Sequence, residues 1–205
     1  MKKKINTLPL VYPIPIVLIG TQHNGINNFT TIGDVAVMGI NPPIVVISLL
    51  DTHFSTEAVL LNRSFSINIP KTELMEKADY CGMYSGRDTD KGSLFEVVYG
   101  DNRLNPMIGE CPCSMECEVL KHLIIERRHI FIAKVTSTWL DDQFQENLNN
   151  RTLPNLRQLD PLIYGMDNAY YSIGQIIGKG YQEGKQIIHQ RYMRMEKGDT
   201  NDFPE

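Results

Sequence analysis

The sequence predicts a mainly β fold, a closed antiparallel barrel with short helical additions. Its strand-like runs are short and numerous, they do not alternate with helical patterns, and a short helix follows a central strand. A doubly wound α/β fold is disfavoured because no GxGxxG or GxxxxGK[ST] phosphate loop follows any strand. We expect one domain over residues 1–205, with its core at about 10–180 and a disordered tail at 195–205.

The first quarter of the chain is rich in strand patterns. Ile14–Gly20 is typical of a buried strand, and His23–Asn28 contains an Asn-Gly pair that suits a tight hairpin turn. Thr30–Ile40 alternates between small, polar and apolar residues, which predicts one strand with two different faces, ended by Asn41-Pro42-Pro43. The β-branched run Ile44–Leu50 predicts a central strand.

A short helix and three more strands are expected next. The helix begins near Ser55, with Ser55 or Thr52 as its cap. Ser64–Ile69 is a strand closed by Pro70, and Glu116–Ile125 and Ile130–Leu140 are two strands around a turn.

Composition limits the partners and the compartment. A hydrophobic content of 42% with 21% charged residues is typical of a soluble globular protein, and a net charge of −4 gives no electrostatic reason to bind nucleic acid. The apolar run Leu8–Ile19 is broken by three prolines and cannot form a membrane-spanning helix. Four cysteines fit a reducing compartment, so we expect a cytoplasmic protein without nucleic-acid or membrane partners.

Two segments predict an anion site. The run ADYCGMYSGRDTDK, Ala78–Lys91, is polar, glycine-containing and cationic, so a core strand or helix is not expected there. The alternative to a binding segment is a solvated loop on a helix end. Thr52, His53 and Ser55 follow the central strand, where a helix N-terminus would direct free N–H groups at a phosphate. His53 could add positive charge there, and Arg87 with Lys91 could complete the site, although simple N-capping is the alternative.

The pattern of the cysteines favours buried structural thiols over a metal site, a redox pair or a nucleophile. Cys111, Cys113 and Cys117 could bind zinc with His122, but their spacing is wrong for paired CxxC motifs and their alternation suits the inward face of a strand. We therefore expect no metal site, and a Cys111–Cys113 redox pair is not favoured either. Cys81 has no histidine and acid that the sequence places beside it, which favours a buried structural thiol over a nucleophile.

Five segments taken in order resemble a known family. They are NFTTIGDVAVMGINPP (28–43), FSINIP (65–70), ADYCGMYSGRDTDK (78–91), ECPCSMEC (110–117) and LDPLIY (159–164), the last followed by Tyr170-Tyr171. From about Pro13 to Gly178 the chain resembles the flavin reductase-like family of FMN-binding split barrels, in particular its flavoredoxin branch. The resemblance implies a homodimer of six-stranded Greek-key barrels that holds FMN non-covalently near the dimer interface.

The resemblance also implies roles for single residues. Asn28 resembles the family's flavin-contacting asparagine, Ser55 its phosphate-binding hydroxyl and Lys91 its flavin-contacting lysine, while Tyr164 corresponds to an aromatic residue beside the cofactor. The family's histidine before a late strand corresponds to His129 or Arg128. With the residues chosen by type, the expected cofactor site comprises Asn28, Thr31, Asp34, Thr52, His53, Ser55, Ser85, Arg87, Lys91, His129 and Tyr164. No residue is assigned a catalytic role.

Two positions depart from the family pattern. Asp34 stands where the family usually has tryptophan, and Leu50 where many members have arginine. Loss of an aromatic face removes about 0.5–1.5 kcal/mol of stacking, and a carboxylate near the ring would disfavour an anionic reduced flavin.

Three functions stay open on this basis. One is an FMN-dependent oxidoreductase that takes hydride from NAD(P)H, with the protein supplying orientation and electrostatics. Another is an electron carrier that a reduced protein partner loads. The third is a cofactor-poor split-barrel dimer with a structural or ligand-sensing role, which Asp34 would favour.

Overall fold

The computed structural model describes residues 2–144, 146 and 153–178. The backbone divides into two units, residues 1–173 and 174–205, and all helices and strands given below lie in the first. The predicted disordered tail at 195–205 lies outside the described residues.

The described chain is mainly β, as the sequence predicts. Its strands are β1 (Ile14–Pro15), β2 (Val17–His23), β3 (Ile26–Ile32), β4 (Val35–Ile40), β5 (Pro43–Leu50), β6 (Ser64–Ile69), β7 (Val97–Val98), β8 (Met107–Ile108), β9 (Cys113–Ile125), β10 (Arg128–Leu140), β11 (Ile163–Gly165) and β12 (Ala169–Tyr171). Its helices are α1 (Phe54–Asn62), α2 (Met75–Met83) and α3 (Leu156–Leu159).

A large antiparallel sheet forms the barrel. Seven strands are hydrogen-bonded in the order β3-β2-β6-β9-β10-β5-β4, while β1, β11 and β12 form a separate three-stranded sheet. The predicted class is therefore confirmed, with seven strands in the sheet rather than six. The β2–β3 hairpin turns at Asn24 and Gly25, both with positive φ, as the Asn-Gly pair predicts.

The prediction of a single strand over Thr30–Ile40 is wrong. The chain turns at Gly33-Asp34, so β3 and β4 are separate strands at opposite ends of the sheet order. A Cβ on Gly33 would lie 2.5 Å from Ile14 Cγ2, which explains a glycine at this close approach. An alternating pattern does not reveal such a break, because both strands keep the period of two.

The barrel interior is apolar and includes part of the cysteine-rich segment. Cys117 and Val119 on β9 are buried in the core, and Met115 packs against it. The alternation of this segment is therefore that of an inward strand face, as the sequence favours. The other buried residues of this cluster are Val17, Ile19, Ile32, Val45, Ile47, Leu49, Val59, Phe65, Ile67, Phe131 and Ala133.

The prediction that Ser55 or Thr52 caps α1 is wrong. The cap residue is His53, and no side chain caps the first turn. The hydroxyl of Ser55 bonds to residues of β3 instead of to the helix backbone. None of the helices in the described part of the chain has the length and apolar character needed to cross a bilayer.

The expectation that Ala78–Lys91 avoids a helix is wrong for its first half. Helix α2 extends to Met83, and Ala78 and Cys81 are buried with Leu74 in a second apolar cluster. These three residues recur at helical spacing, so one face of a mostly polar helix is apolar. The loop proper begins at Tyr84.

Candidate functional site

Four segments meet around the N-terminus of α1. Asn28 of β3 donates from Nδ2 to the Ser55 hydroxyl at 2.8 Å, which ties the strand to the helix. Thr31 of β3 donates to the carbonyl of Ala78 in α2, and Lys91 donates from Nζ to the carbonyl of Cys81 at 2.8 Å. Strand β3, the start of α1, the end of α2 and loop 84–91 therefore surround one site.

A buried polar cluster forms the floor of this site. Thr30 Oγ1 lies 2.6 Å from Ser55 Oγ, and Asn28 Nδ2 lies 3.3 Å from Thr30 Oγ1. Asn28 Oδ1 is buried without a hydrogen-bond partner, and a Cβ on Gly86 would lie 2.1 Å from it. Ser55 is fully buried, so its hydroxyl fixes the first turn of α1 to β3 from behind the surface.

Lys91 is a buried cation without a carboxylate. Its residue is 2% exposed, and burial lowers the pKa of its ammonium group. Among the described residues, no aspartate or glutamate forms an ion pair with it. A buried charge without a counter-ion is costly, so this ammonium would bind an anion favourably.

His53 supplies a second unsatisfied group. Its Nδ1 is buried without a partner, and its pKa is lowered by burial and by the charges of Arg128 and Lys91, against the opposite effect of Asp34 and Asp51. The imidazole is therefore neutral at neutral pH and contributes a hydrogen-bonding nitrogen. The expected positive charge at this position comes from Lys91 and Arg128 instead.

Arg87 is engaged with α1. Its guanidinium forms an ion pair with Glu57, donates from Nη1 to the carbonyl of Thr52 at 2.9 Å and lies 5.6 Å from the Phe54 ring centre. The Ser85 hydroxyl accepts the backbone N–H of Arg87 at 3.2 Å. These contacts hold loop 84–91 against α1, so Thr52, Ser85 and Arg87 build the wall of the site.

The two candidates on β10, Arg128 and His129, have different partners. Arg128 donates from Nη1 to Asp34 Oδ2 at 2.6 Å, and its charge helps to lower the pKa of His53. His129 Nδ1 lies 3.0 Å from His122 Nε2, and His122 stacks on the core residue Phe131. Arg128 is therefore paired with Asp34 and His129 with His122, and the role of either residue beside a cofactor stays a prediction.

The Asp34–Arg128 pair relates the two departures from the family pattern. In the β5–β10 register Arg128 lies directly opposite Leu50, so a guanidinium stands beside the position where the arginine is missing. Its partner is Asp34, at the position of the missing tryptophan. Sequence reasoning missed this pair because Asp34 and Arg128 are 94 residues apart and no local pattern connects them.

An apolar groove of about 680 Å³ adjoins Asp34. Thr31 and Tyr164 line it, together with Asp79 and Tyr170, whose hydroxyl donates to Asp79 Oδ1 at 2.8 Å. Burial and Asp79 raise the pKa of Tyr170, which keeps its hydroxyl protonated. Sequence reasoning missed Asp79 as a site residue, although it lies in the segment Ala78–Lys91.

The thiols are not nucleophiles at neutral pH. Burial raises the pKa of Cys81 and of Cys113 to about 11 and that of Cys117 to about 12, so all three are protonated at neutral pH. Within residues 2–144, 146 and 153–178, no group of three or more His, Cys, Asp or Glu side chains is arranged to hold a metal ion.

Comparisons with known proteins place this geometry in a family. The family profile described as "Flavin reductase like domain" matches residues 10–173. The chain is 34% identical to flavoredoxin from Methanosarcina acetivorans, with a TM-score of 0.86 over 91% of this chain and 99% of that one. It is 28% identical to flavoredoxin of Desulfovibrio vulgaris (Miyazaki F), with a TM-score of 0.80 over 90% and 100% of the two chains.

A more distant structure shares the fold. The FMN-binding protein from Thermus thermophilus with bound 1-cyclohex-2-enone is 18% identical, with a TM-score of 0.74 over 87% of this chain and 97% of that one. Among curated proteins, none matches the chain.

Proposed function

This chain belongs to the flavin reductase-like family, and on that premise we propose that it is an FMN-binding flavoprotein oxidoreductase. The observation that carries the proposal is Lys91, a buried ammonium that has no carboxylate partner among the described residues and whose charge acts on His53, the cap residue of α1. A bound anion would offset the cost of this buried charge, and the N-terminus of a helix favours the same partner.

The residues present fit a terminal phosphate. Lys91 would neutralise one of its charges, the first turn of α1 has no side-chain cap that would compete for it, and His53 Nδ1 has no protein partner. Asn28 and Ser55 would support this phosphate site by fixing β3 to α1. This set supports FMN over riboflavin, which has no phosphate, and over FAD, in which that phosphate is esterified further.

The groove lined by Thr31, Tyr164 and Tyr170 supports a planar ring. The groove is mostly apolar. Burial and the hydrogen bond to Asp79 raise the pKa of Tyr170, so its hydroxyl stays protonated. A bound flavin supplies a ring that accepts hydride or single electrons, so the protein needs no general acid or base of its own. The roles of the chain are then to bind the phosphate, orient the ring and limit access of water.

Asp34 is compatible with a flavin at this site. Its carboxylate is paired with Arg128, so the two charges largely cancel. The disfavouring effect of a lone carboxylate on reduced flavin is therefore reduced.

The electron donor is NAD(P)H or a reduced protein partner, and one experiment separates these. The purified protein is loaded with FMN, freed of excess flavin and mixed anaerobically with NADH or NADPH while its visible spectrum is recorded. We expect bleaching of the flavin by a nicotinamide. Bleaching by dithionite alone would favour the electron carrier, and failure to retain any flavin would refute the proposal and favour the cofactor-poor dimer.

A homodimer is part of the proposal. Strand β4, at one end of the sheet order, exposes Val37, Met38 and Ile40, and the β9–β10 hairpin exposes Ile124 and Ile125. Apolar surface of this kind is typical of protein interfaces. Light scattering at micromolar concentration is expected to give twice the subunit mass, and a monomer mass would contradict the dimer.

A cytoplasmic location is also a proposal. All four cysteines are free thiols, the state expected in a reducing compartment. Fractionation of cells that express the protein tests it, and recovery outside the cytoplasm would contradict it.

A further inference from the structure

Two histidines face each other on the β9–β10 hairpin. His122 Nε2 lies 3.0 Å from His129 Nδ1, and the ring centres are 5.0 Å apart with the planes 22° from parallel. In the strand register His122 pairs with Phe131, and His129 lies two residues before Phe131 on the same face of β10. His122 also stacks on the fully buried Phe131 ring at 4.8 Å. Two hydrogen-bonded strands and a core ring therefore hold the two imidazoles in one arrangement.

The facing nitrogens of this pair suit a metal ion. Burial and the charges of His129 and Arg63 lower the pKa of His122, so its imidazole is neutral at neutral pH. The hydrogen bond between the two rings uses one proton. A metal ion that displaces this proton meets one nitrogen lone pair from each ring, and neutral imidazole is the commonest metal ligand in proteins.

The distance between these nitrogens matches adjacent positions around a transition metal. Metal–imidazole bonds are about 2.0–2.1 Å long, so two of them at a right angle place their nitrogens about 2.9 Å apart. At a tetrahedral angle the nitrogens would be about 3.3 Å apart. The observed 3.0 Å is nearer the first value. Right-angled coordination by nitrogen and oxygen is typical of Ni²⁺ and Cu²⁺.

The pair differs from the metal site that the cysteines suggest. Its ligands are two histidines on neighbouring strands, so the spacing of Cys111, Cys113 and Cys117 has no bearing on it. Within the described chain no third His, Cys, Asp or Glu side chain joins the two in a metal-binding group. Water would therefore fill the remaining positions, which makes this an open site with two protein ligands.

We propose that His122 Nε2 and His129 Nδ1 chelate a divalent transition-metal ion of the nickel and copper class, which crosslinks β9 to β10. The second bond is intramolecular, because the fold already holds the second ring beside the first. The inference uses neither Lys91 nor the groove beside Tyr164, so it does not rest on the proposed flavin function.

The test is calorimetric titration of Ni²⁺ into the purified full chain, without an affinity tag and after treatment with a chelator. The wild type is expected to bind about one Ni²⁺ per subunit. His122→Gln and His129→Gln should each weaken binding about tenfold or more, because a single imidazole is not a chelate. The double variant should bind within about twofold of either single variant, since the first substitution already removes the chelate.

His23 on β2 provides the matched control. Its Nδ1 is buried, and its ring meets the Phe54 ring edge-on. His23→Gln should leave Ni²⁺ binding within about twofold. Equal weakening by His23→Gln, His122→Gln and His129→Gln would reveal non-specific binding to histidines and overturn the proposal. Mg²⁺, which prefers oxygen ligands, should not compete with Ni²⁺.

Thermal unfolding gives a second readout, because a metal that binds only the folded chain stabilises it. Ni²⁺ at ten times its wild-type Kd should raise the wild-type Tm by about 3–6 °C and that of either single variant by about 2 °C or less. Paramagnetic Ni²⁺ should also broaden the imidazole NMR signals of two histidines in the wild type before any others, a measurement that needs no variant.

Three further results would overturn the proposal. They are no saturation of the wild type by millimolar Ni²⁺, unchanged binding in either His122→Gln or His129→Gln, and one Ni²⁺ for every two subunits. The last result would mean that the ion bridges two copies of the chain and is not chelated within one hairpin.

Discussion

Glu116 and Lys91 are both buried charges, yet the chain treats them in opposite ways. Glu116 on β9 is 1% exposed, and its carboxylate accepts the backbone N–H groups of Asp101 and Asn102 at 3.0 and 2.8 Å and Trp139 Nε1 at 3.0 Å. Lys91 is as buried, but within the described chain its ammonium has the Cys81 carbonyl as its hydrogen-bond partner.

The difference separates a fold-forming charge from a ligand-binding one. Three donors complete the Glu116 carboxylate, which therefore fixes the segment after Tyr99 against the sheet. The close fit extends to Gly100, where a Cβ would lie 2.5 Å from Glu116 Oε2. Lys91 keeps donor capacity and positive charge for a partner that the chain does not supply. The Glu116 carboxylate thus stabilises the fold, and the Lys91 ammonium is expected to bind a ligand.

The largest expected effect is on stability, at Glu116. Glu116→Gln replaces an acceptor oxygen by an NH₂ group and leaves a buried N–H without a partner, so the free energy of unfolding should fall by about 2–3 kcal/mol. Urea unfolding of the flavin-free protein measures it. Glu118→Gln, on the same strand but exposed, is the control and should change the value by less than about 0.5 kcal/mol. Equal stabilities for the two variants would contradict the structural role.

Substitution of Lys91 should have the opposite pattern, with a loss of FMN affinity and no loss of stability. Lys91→Met is expected to weaken FMN binding by about 2 kcal/mol, because a charged hydrogen bond to phosphate is lost. The flavin-free protein should be as stable as the wild type or more stable, since an unpaired buried charge is removed. Fluorescence titration and urea unfolding measure the two effects. Lys77→Met, which breaks a surface pair with Glu110, is the control and should leave FMN affinity unchanged.

Substitution of Ser55 is expected to affect both stability and FMN affinity. Ser55→Ala removes the nearer acceptor of Asn28 Nδ2 and leaves Thr30 Oγ1 at 3.3 Å, so stability should fall by about 1 kcal/mol. FMN affinity should fall by about the same amount, because the first turn of α1 is no longer fixed to β3. Unchanged affinity together with unchanged stability would remove Ser55 from the site.

The smallest effect is a pH dependence. Burial lowers the pKa of Lys91 below its usual 10.5, so between the folded and unfolded pKa values the unfolded chain binds more protons. Stability of the flavin-free protein should therefore rise with pH in that window, while FMN affinity falls as the ammonium loses its proton. Because other groups titrate there too, the measured quantity is the difference between wild type and Lys91→Met. A difference that does not change with pH would contradict a buried charged Lys91.

Much of the fold follows from local patterns. The Asn-Gly turn, the β-branched run of β5 and the long β9–β10 hairpin depend on neighbouring residues, and the sequence predicts all three. The break at Gly33-Asp34 depends on the approach of Ile14 from another strand, which no local pattern contains. Helix α2 was missed because its buried face consists of small residues within a polar segment.

The sequence predicts which residue types form the candidate site but not which side chains they contact. Lys91 and Ser55 stand out by composition and resemblance, and the structure buries both, Ser55 in the first turn of α1 and Lys91 against the end of α2. The engagement of Arg87 with Glu57, the pairing of Asp34 with Arg128 and the neutral state of His53 are tertiary effects. Each depends on segments that are distant in sequence, so no pattern in a single stretch of chain reveals them.

The central claim is that the unpaired Lys91 selects a flavin by its phosphate. Titration of FMN and of riboflavin, which lacks that phosphate, into wild type and Lys91→Met tests it most directly. We expect the wild type to bind about one FMN per subunit and to prefer it to riboflavin by about tenfold or more, a preference that Lys91→Met loses. Equal affinities of the wild type for FMN and riboflavin, or an unchanged preference in Lys91→Met, would contradict the account.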